Sequence, residues 1–130
     1  MSDIKVSIVI PTMTLQLVKK CIQSLITYTD LNENNVEIII IANGADIALK
    51  DCINEFKSQN VPIRLVWFDK PLGAVVALNE GIKESKGEFV LLFNDDCEIL
   101  WSEKNYWLNT LLKPFENNDK MACTGPFRMI

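Results

Sequence analysis

The 130-residue chain is 48% hydrophobic, carries 13 Lys and Arg against 17 Asp and Glu, and contains no histidine. That apolar content suits one packed domain and excludes a disordered chain, while the mild acidity argues against a general nucleic-acid binder, which needs a basic face. Without histidine there is no His-based acid–base or nucleophilic catalysis, and most zinc and iron sites are removed.

In chain order, Lys5–Ile10 is β-branched and apolar and reads as a first strand stopped by Pro11. Thr12 or Thr14 can cap the helix that follows, where Leu15, Val18, Ile22, Leu25 and Ile26 recur at helical spacing up to about Thr29. Asp30–Asn35 is a polar loop. Val36–Ala42 is a second strand, apolar except for Glu37, and Asn43-Gly44 is a turn signal at its end. A helix over Ile47–Lys57 buries Leu49, Ile53 and Phe56, and Ile63–Phe68 is a third strand.

The next helix is expected from Pro71, a residue suited to a first turn, to Lys86, burying Val75, Val76, Leu78 and Ile82 and closed by Gly87 at C′. Phe89–Phe93 follows, a continuous apolar run of the kind found in strands buried on both faces of a parallel sheet. Trp107, Leu108, Leu111, Leu112 and Phe115 mark a last amphipathic helix, and Met121–Thr124 a last short strand. Strands alternating with helices imply right-handed crossovers, a mostly parallel open α/β sheet and helices on both faces.

The four cysteines form no CxxC pair. Cys21, Cys52 and Cys123 read as small buried hydrophobes, whereas Cys97 stands beside carboxylates. No run approaches a membrane-spanning length, and Val6–Ile10 behind Asp3 is too short for a secretory signal. The expectation is a reduced, cytoplasmic protein.

The chemistry concentrates at Asn94-Asp95-Asp96, where the apolar run meets two adjacent carboxylates. Open α/β sheets bind ligands beyond the carboxyl ends of their strands. Paired carboxylates there repel each other until a hard cation such as Mg²⁺ or Mn²⁺ arrives, one that shares itself with substrate phosphates. The same three residues also suit an ordinary turn, and at this point both readings stand. Three strand ends converge, at Pro11-Thr12, Asn43-Gly44 and Asp95-Asp96. A nucleotide lying across them could meet the Asn43 amide, which both donates and accepts, then peptide groups near Thr12, then the metal.

Four segments in order carry a family resemblance: Val6–Thr12; Ile40–Asp46; Gly73–Gly81 with Lys86-Gly87-Glu88; and Phe93–Asp96, a DXD-like acidic motif. Together they resemble the amino-terminal half of a glycosyltransferase family 2 domain of the GT-A fold. The resemblance implies a single nucleotide-sugar-binding domain over 1–130, truncated or minimal, without the half that holds the acceptor and the catalytic base. It implies that Pro11 and Thr12 line the nucleoside pocket and that Asn43 faces the base. It implies that Asn94 and Asp95 lie on the nucleotide side and that Asp96, with Asp95, holds Mn²⁺ or Mg²⁺ against the diphosphate. Ala77 and Asn79 would lie on a helix beside the donor, Asn79 alternatively bonding only to backbone; Gly73 and Gly81 would serve close packing, Gly73 also near the nucleotide.

The chain departs from the pattern at Ala42 and Ala45, where the family carries Asp and Ser, and at Met13-Thr14. The implied activity is inverting transfer of a sugar, from a UDP-sugar in the first instance, to an unidentified acceptor. Glu98 is the candidate base nearest the metal in sequence, although a Glu just past a turn is more often only solvated, and slow donor hydrolysis is expected from this chain alone. Apolar surface near Trp101–Trp107 and at the tail would favour a homo-oligomer. The alternatives are a non-catalytic nucleotide-sugar-binding module and, below it, a phosphoacceptor signalling domain. The latter wants its acidic pair after the first strand, where this chain has Pro11-Thr12.

Overall fold

The computed structural model of the protein describes residues 3–126. Its elements run β1 (Val6–Thr12), α1 (Leu15–Tyr28), β2 (Val36–Asn43), α2 (Ala48–Ser58), β3 (Ile63–Phe68), α3 (Ala74–Glu84), β4 (Phe89–Leu92) and α4 (Tyr106–Glu116). The four strands form one parallel sheet in the order β3-β2-β1-β4. Chain order therefore runs outward from β1 to β3, then jumps back to the far side of β1, which makes the β1–β4 boundary the point where strand order reverses.

The two faces of the sheet are covered unequally. On the first face Ile8, Ile10, Ile38 and Ile40 meet Val18, Cys21, Ile22 and Leu25 of α1, Leu49, Ile53 and Phe56 of α2, and Leu108 of α4. On the second face Val9, Ile39 and Ile41 meet Ala77 of α3. β2 is buried along its whole length, as its near-unbroken isoleucine run requires.

Several expectations are corrected. β4 is not buried on both faces: it is an edge strand, and Val90 and Leu92 on the second face are exposed. α3 begins at Ala74 rather than Pro71 and turns its small residues inward. A Cβ at Gly81 would lie 2.2 Å from Val9 Cγ1, so the helix rides directly on the sheet. That approach leaves Val75, Val76 and Ile82 on its outer side, exposed, and Leu78 half-buried. Pro71 lies before the helix and packs on Gly44.

Gly87 is not a helix cap; a Cβ there would come within 2.6 Å of the Ser7 nitrogen, so it serves the approach of the incoming chain to β1. Gly73, expected to serve packing, faces open space and instead supplies a φ of 85° at the start of α3. β1 runs on through Pro11 to Thr12, past its pairing with β4, which ends at Val9. Residues 121–124 form no strand, and Cys123 is exposed while Cys52 is half-buried.

Candidate functional site

β1 and β4 deliver Thr12 and Asp95 to the same point at the carboxyl end of the sheet, where the Thr12 hydroxyl donates to Asp95 Oδ2 at 2.8 Å. Thr12 is buried at 3% exposure, and its Oγ1 also accepts the Thr14 amide at 3.2 Å. The turn after β4 is built on backbone. Phe93 N–H donates to the Val9 carbonyl at 3.0 Å, and Cys97 N–H closes onto the Asn94 carbonyl at 3.1 Å. Cys21 Sγ approaches the same carbonyl at 3.7 Å. Burial, with Cys97, Asp95, Glu98 and Asp96 nearby, pushes the Cys21 thiol up to about 12, so it stays a neutral packing group. The turn and the acidic site are thus one structure: Asp95 is half-buried against Thr12, and Asp96 and Glu98 are exposed.

The chain beyond the turn is stapled to α1. Ile99 N–H donates to Ser24 Oγ at 3.0 Å, Tyr28 donates to the Leu100 carbonyl at 2.8 Å, and Trp107 Nε1 donates to Thr29 Oγ1 at 2.8 Å. Asn105, in the left-handed region at φ 68°, accepts from Asp30 N–H at 2.7 Å and donates to Asp30 Oδ2 at 3.1 Å. Those bonds from Asn105, with Lys104, hold the Asp30 carboxyl below its ordinary range. The sequence marked Trp101–Trp107 only as apolar surface and gave no sign of these contacts, which reach back some 75 residues to α1 and the loop after it.

At the end of β2, Asn43 is buried at 6% exposure, and its Oδ1 accepts the Leu72 amide at 2.7 Å. Gly44, at φ 75°, sits beneath Pro71. The loop 69–73 is therefore tied onto the strand end, and Gly73 opens α3 beside it. Residues 71–73, expected to form the first turn of the helix, belong to this loop instead. Pro11 is half-buried beside Thr12, Ala77 is buried against the sheet, and Asn79 is exposed on the outer side of α3. The structure thus brings Thr12 and Asp95 together, with Asn94 and Asp96 in the same turn, ties the Asn43 side chain at the end of β2 to the loop that leads to Gly73, and places Ala77 and Asn79 on α3, where Ala77 N–H donates to the Gly73 carbonyl at 3.1 Å.

Asp95 and Asp96 are hard oxygen donors, and among the described residues no three His, Cys, Asp or Glu side chains cluster closely enough to hold a metal unaided. Two carboxylates without a protein cage fit an ion of the Mg²⁺ or Mn²⁺ type that completes its shell with water and phosphate.

The profile of the family described as Glycosyl transferase family 2 matches residues 7–129. The chain belongs to this family. It is 24% identical over 123 residues to the glycosyltransferase GlyG of Streptococcus pneumoniae serotype 4, covering 94% of this chain and 38% of that one. The fold matches a mannosyltransferase, PcManGT of Pyrobaculum calidifontis, solved with GDP-Man and Mn²⁺, at a TM-score of 0.67 and 18% identity over 81% of this chain and 30% of that one. It also matches S. aureus TarS 1-349 with UDP-GlcNAc at 0.70 and 16% identity, over 87% and 32%. The chain spans about a third of the length of these proteins. Among the described residues, no helix is long and apolar enough to cross a membrane.

Proposed function

We propose that residues 1–130 form the donor-binding part of a metal-dependent, inverting glycosyltransferase, with a UDP-sugar as its preferred donor. The observation that carries the reading is the Asp95-Asp96 turn set against Thr12 where the strand order reverses. In it, Asp96 and one oxygen of Asp95 hold Mn²⁺ or Mg²⁺ against the diphosphate, Pro11 and Asn94 border the nucleoside and diphosphate, and Asn43 and Gly73 shape the base end. A divalent cation held there supplies neutralisation of the charge that grows on the departing diphosphate. The protein's own part is to fix the carboxylates and present the donor.

Glu98 is exposed beyond the turn, and among the described residues no hydrogen bond or ion pair orients it as a base. Positioning of the acceptor and base catalysis are separate large terms, the base alone worth about 10²–10⁴-fold. The chain by itself is therefore expected to release UDP from a UDP-sugar slowly, by hydrolysis. The same exposed Glu98 favours, as a second reading, a non-catalytic nucleotide-sugar-binding module.

The test is a calorimetric titration with UDP, UDP-sugars and GDP, with Mn²⁺ and with EDTA, followed by a UDP-release assay. The expected result is binding that strengthens with Mn²⁺, loss of that increment in Asp96→Ala, and slow UDP release. Unchanged metal dependence in Asp96→Ala would remove the acidic pair from the site. Tight binding with no release selects the second reading, and rapid acceptor-dependent turnover would place a complete acceptor site within these residues.

A further inference from the structure

We infer that Thr12 is a positioning residue for Asp95, not a wall of the nucleoside pocket, and that it divides the labour of the two carboxylates; the inference rests on the reading above. Three observations carry it. Thr12 is buried at 3% exposure, and its hydroxyl is engaged within the protein. Its backbone is fixed, because it is the last residue of β1 and stands opposite Ala42 in the ladder. The hydroxyl accepts the Thr14 amide at 3.2 Å and spends its one proton on Asp95 Oδ2 at 2.8 Å, the alternative acceptor, the Thr14 carbonyl, being further at 3.3 Å.

The consequence is an asymmetry between neighbours. Asp95 has one oxygen committed to the sheet and one left to face a ligand, on a side chain whose orientation is already set. Asp96 is exposed, and among the described residues its Oδ1 is approached only by Cys97 Sγ at 3.9 Å, so its carboxylate is free to swing onto a cation. Thr12 thereby ties the strand that opens the fold to the carboxylate that meets the metal. The isosteric valine keeps the shape of the side chain but loses both the donor to Asp95 and the acceptor for the Thr14 amide.

The experiment measures Mn²⁺ affinity by the paramagnetic resonance of free Mn²⁺, with saturating UDP, for the wild-type chain, Thr12→Val, Thr12→Ala and Thr12→Ser. UDP affinity in EDTA and the near-ultraviolet circular dichroism are recorded in parallel. Thr12→Val and Thr12→Ala are each expected to weaken Mn²⁺ about tenfold, Thr12→Ser by less than about twofold, and UDP affinity in EDTA to stay unchanged. Thr12→Ala covers the case in which valine overpacks, and Thr12→Ser separates the hydroxyl from the methyl.

Wild-type Mn²⁺ affinity in both hydroxyl-free variants overturns the inference, as does a serine variant as weak as valine. An equal loss of UDP affinity in EDTA does so too, since Thr12 would then act on the nucleotide. Absence of Mn²⁺ binding by the wild type with UDP overturns the donor-site reading itself, and this inference with it.

Discussion

Asn43 has one amide and two tasks in the proposed site. Its Oδ1 is committed to the Leu72 amide, which leaves the NH₂ as the part available to a base. The two roles separate in Asn43→Ala. If the side chain only ties down the loop, UDP and GDP affinities fall together; if it also reads the base, their ratio changes. The expected outcome is a fall for both nucleotides, with a shift in the UDP-to-GDP ratio of up to about tenfold, the worth of one hydrogen bond; calorimetric titration of both nucleotides checks it, and an unchanged ratio assigns Asn43 to the loop alone. Sequence located Asn43 because Asn-Gly announces a turn, and located Asp95 because a charge ends an apolar run. It could not supply their partners. Leu72 lies 29 residues from Asn43 and Thr12 lies 83 from Asp95, and nothing local to either residue records such a bond.

Among the elements, α1, α2 and β2 were legible because their large apolar residues point inward, so that pattern and burial coincide. α3 inverted the rule: contact is made by Ala77 and Gly81, and the valines and Ile82 face out. A helix lying this close to a sheet is signalled by small residues four apart, a weaker mark than bulk. β4 misled for a different reason, since an apolar strand says what it can bury but not whether a neighbour is present. What holds the entry to β4 is a polar clasp on the second face. Ser7 donates to Glu37 Oε1 at 2.7 Å, Lys86 N–H to the same oxygen at 3.1 Å, Arg64 Nε to Oε2 at 3.2 Å, and Gly87 N–H to Ser7 Oγ at 2.8 Å. Burial works against the Glu37 charge, but the bonds from Ser7, Lys86 N–H and Arg64 outweigh it and hold the carboxyl below its ordinary range. Glu37→Ala, which strands those donors, is expected to lose about 3 kcal/mol in urea unfolding at neutral pH, the low end for breaking a buried pair because Arg64 is partly exposed. The sign with pH follows: a depressed carboxyl contributes fully above its ordinary value near 4.5 and loses its contribution as pH falls through the folded value. The stability gap between wild type and Glu37→Gln should therefore be flat from pH 7 to 6 and narrow progressively as pH falls below about 4.5; a gap that does not narrow on acidification would show that shape, not charge, makes the clasp.

For the molecule as a whole, alternation of strands and helices was sufficient to give the parallel sheet with helices on both faces, because crossover handedness leaves few other solutions. The cover over β4 was beyond reach, since it depends on what lies next to the strand. Among the described residues its outer edge has no neighbour, and an apolar groove of about 1130 Å³ runs beside it past Phe93, Trp101, Tyr106 and Trp107 to Pro126. A bare apolar edge pairs readily. This chain is expected to self-associate as its concentration rises in sedimentation velocity, and Leu92→Lys, which charges the exposed edge, to reduce that association. A chain that stays monomeric throughout would mean the edge is not adhesive. The Thr12–Asp95 bond has one more consequence, which concerns time. The two residues are 83 positions apart, and protein synthesis adds about 5–20 residues per second. Thr12 therefore leaves the ribosome roughly 4–17 s before the carboxylate it will hold, and through that interval β1 and β2 can pair while the end of the sheet that would carry the chemistry does not yet exist.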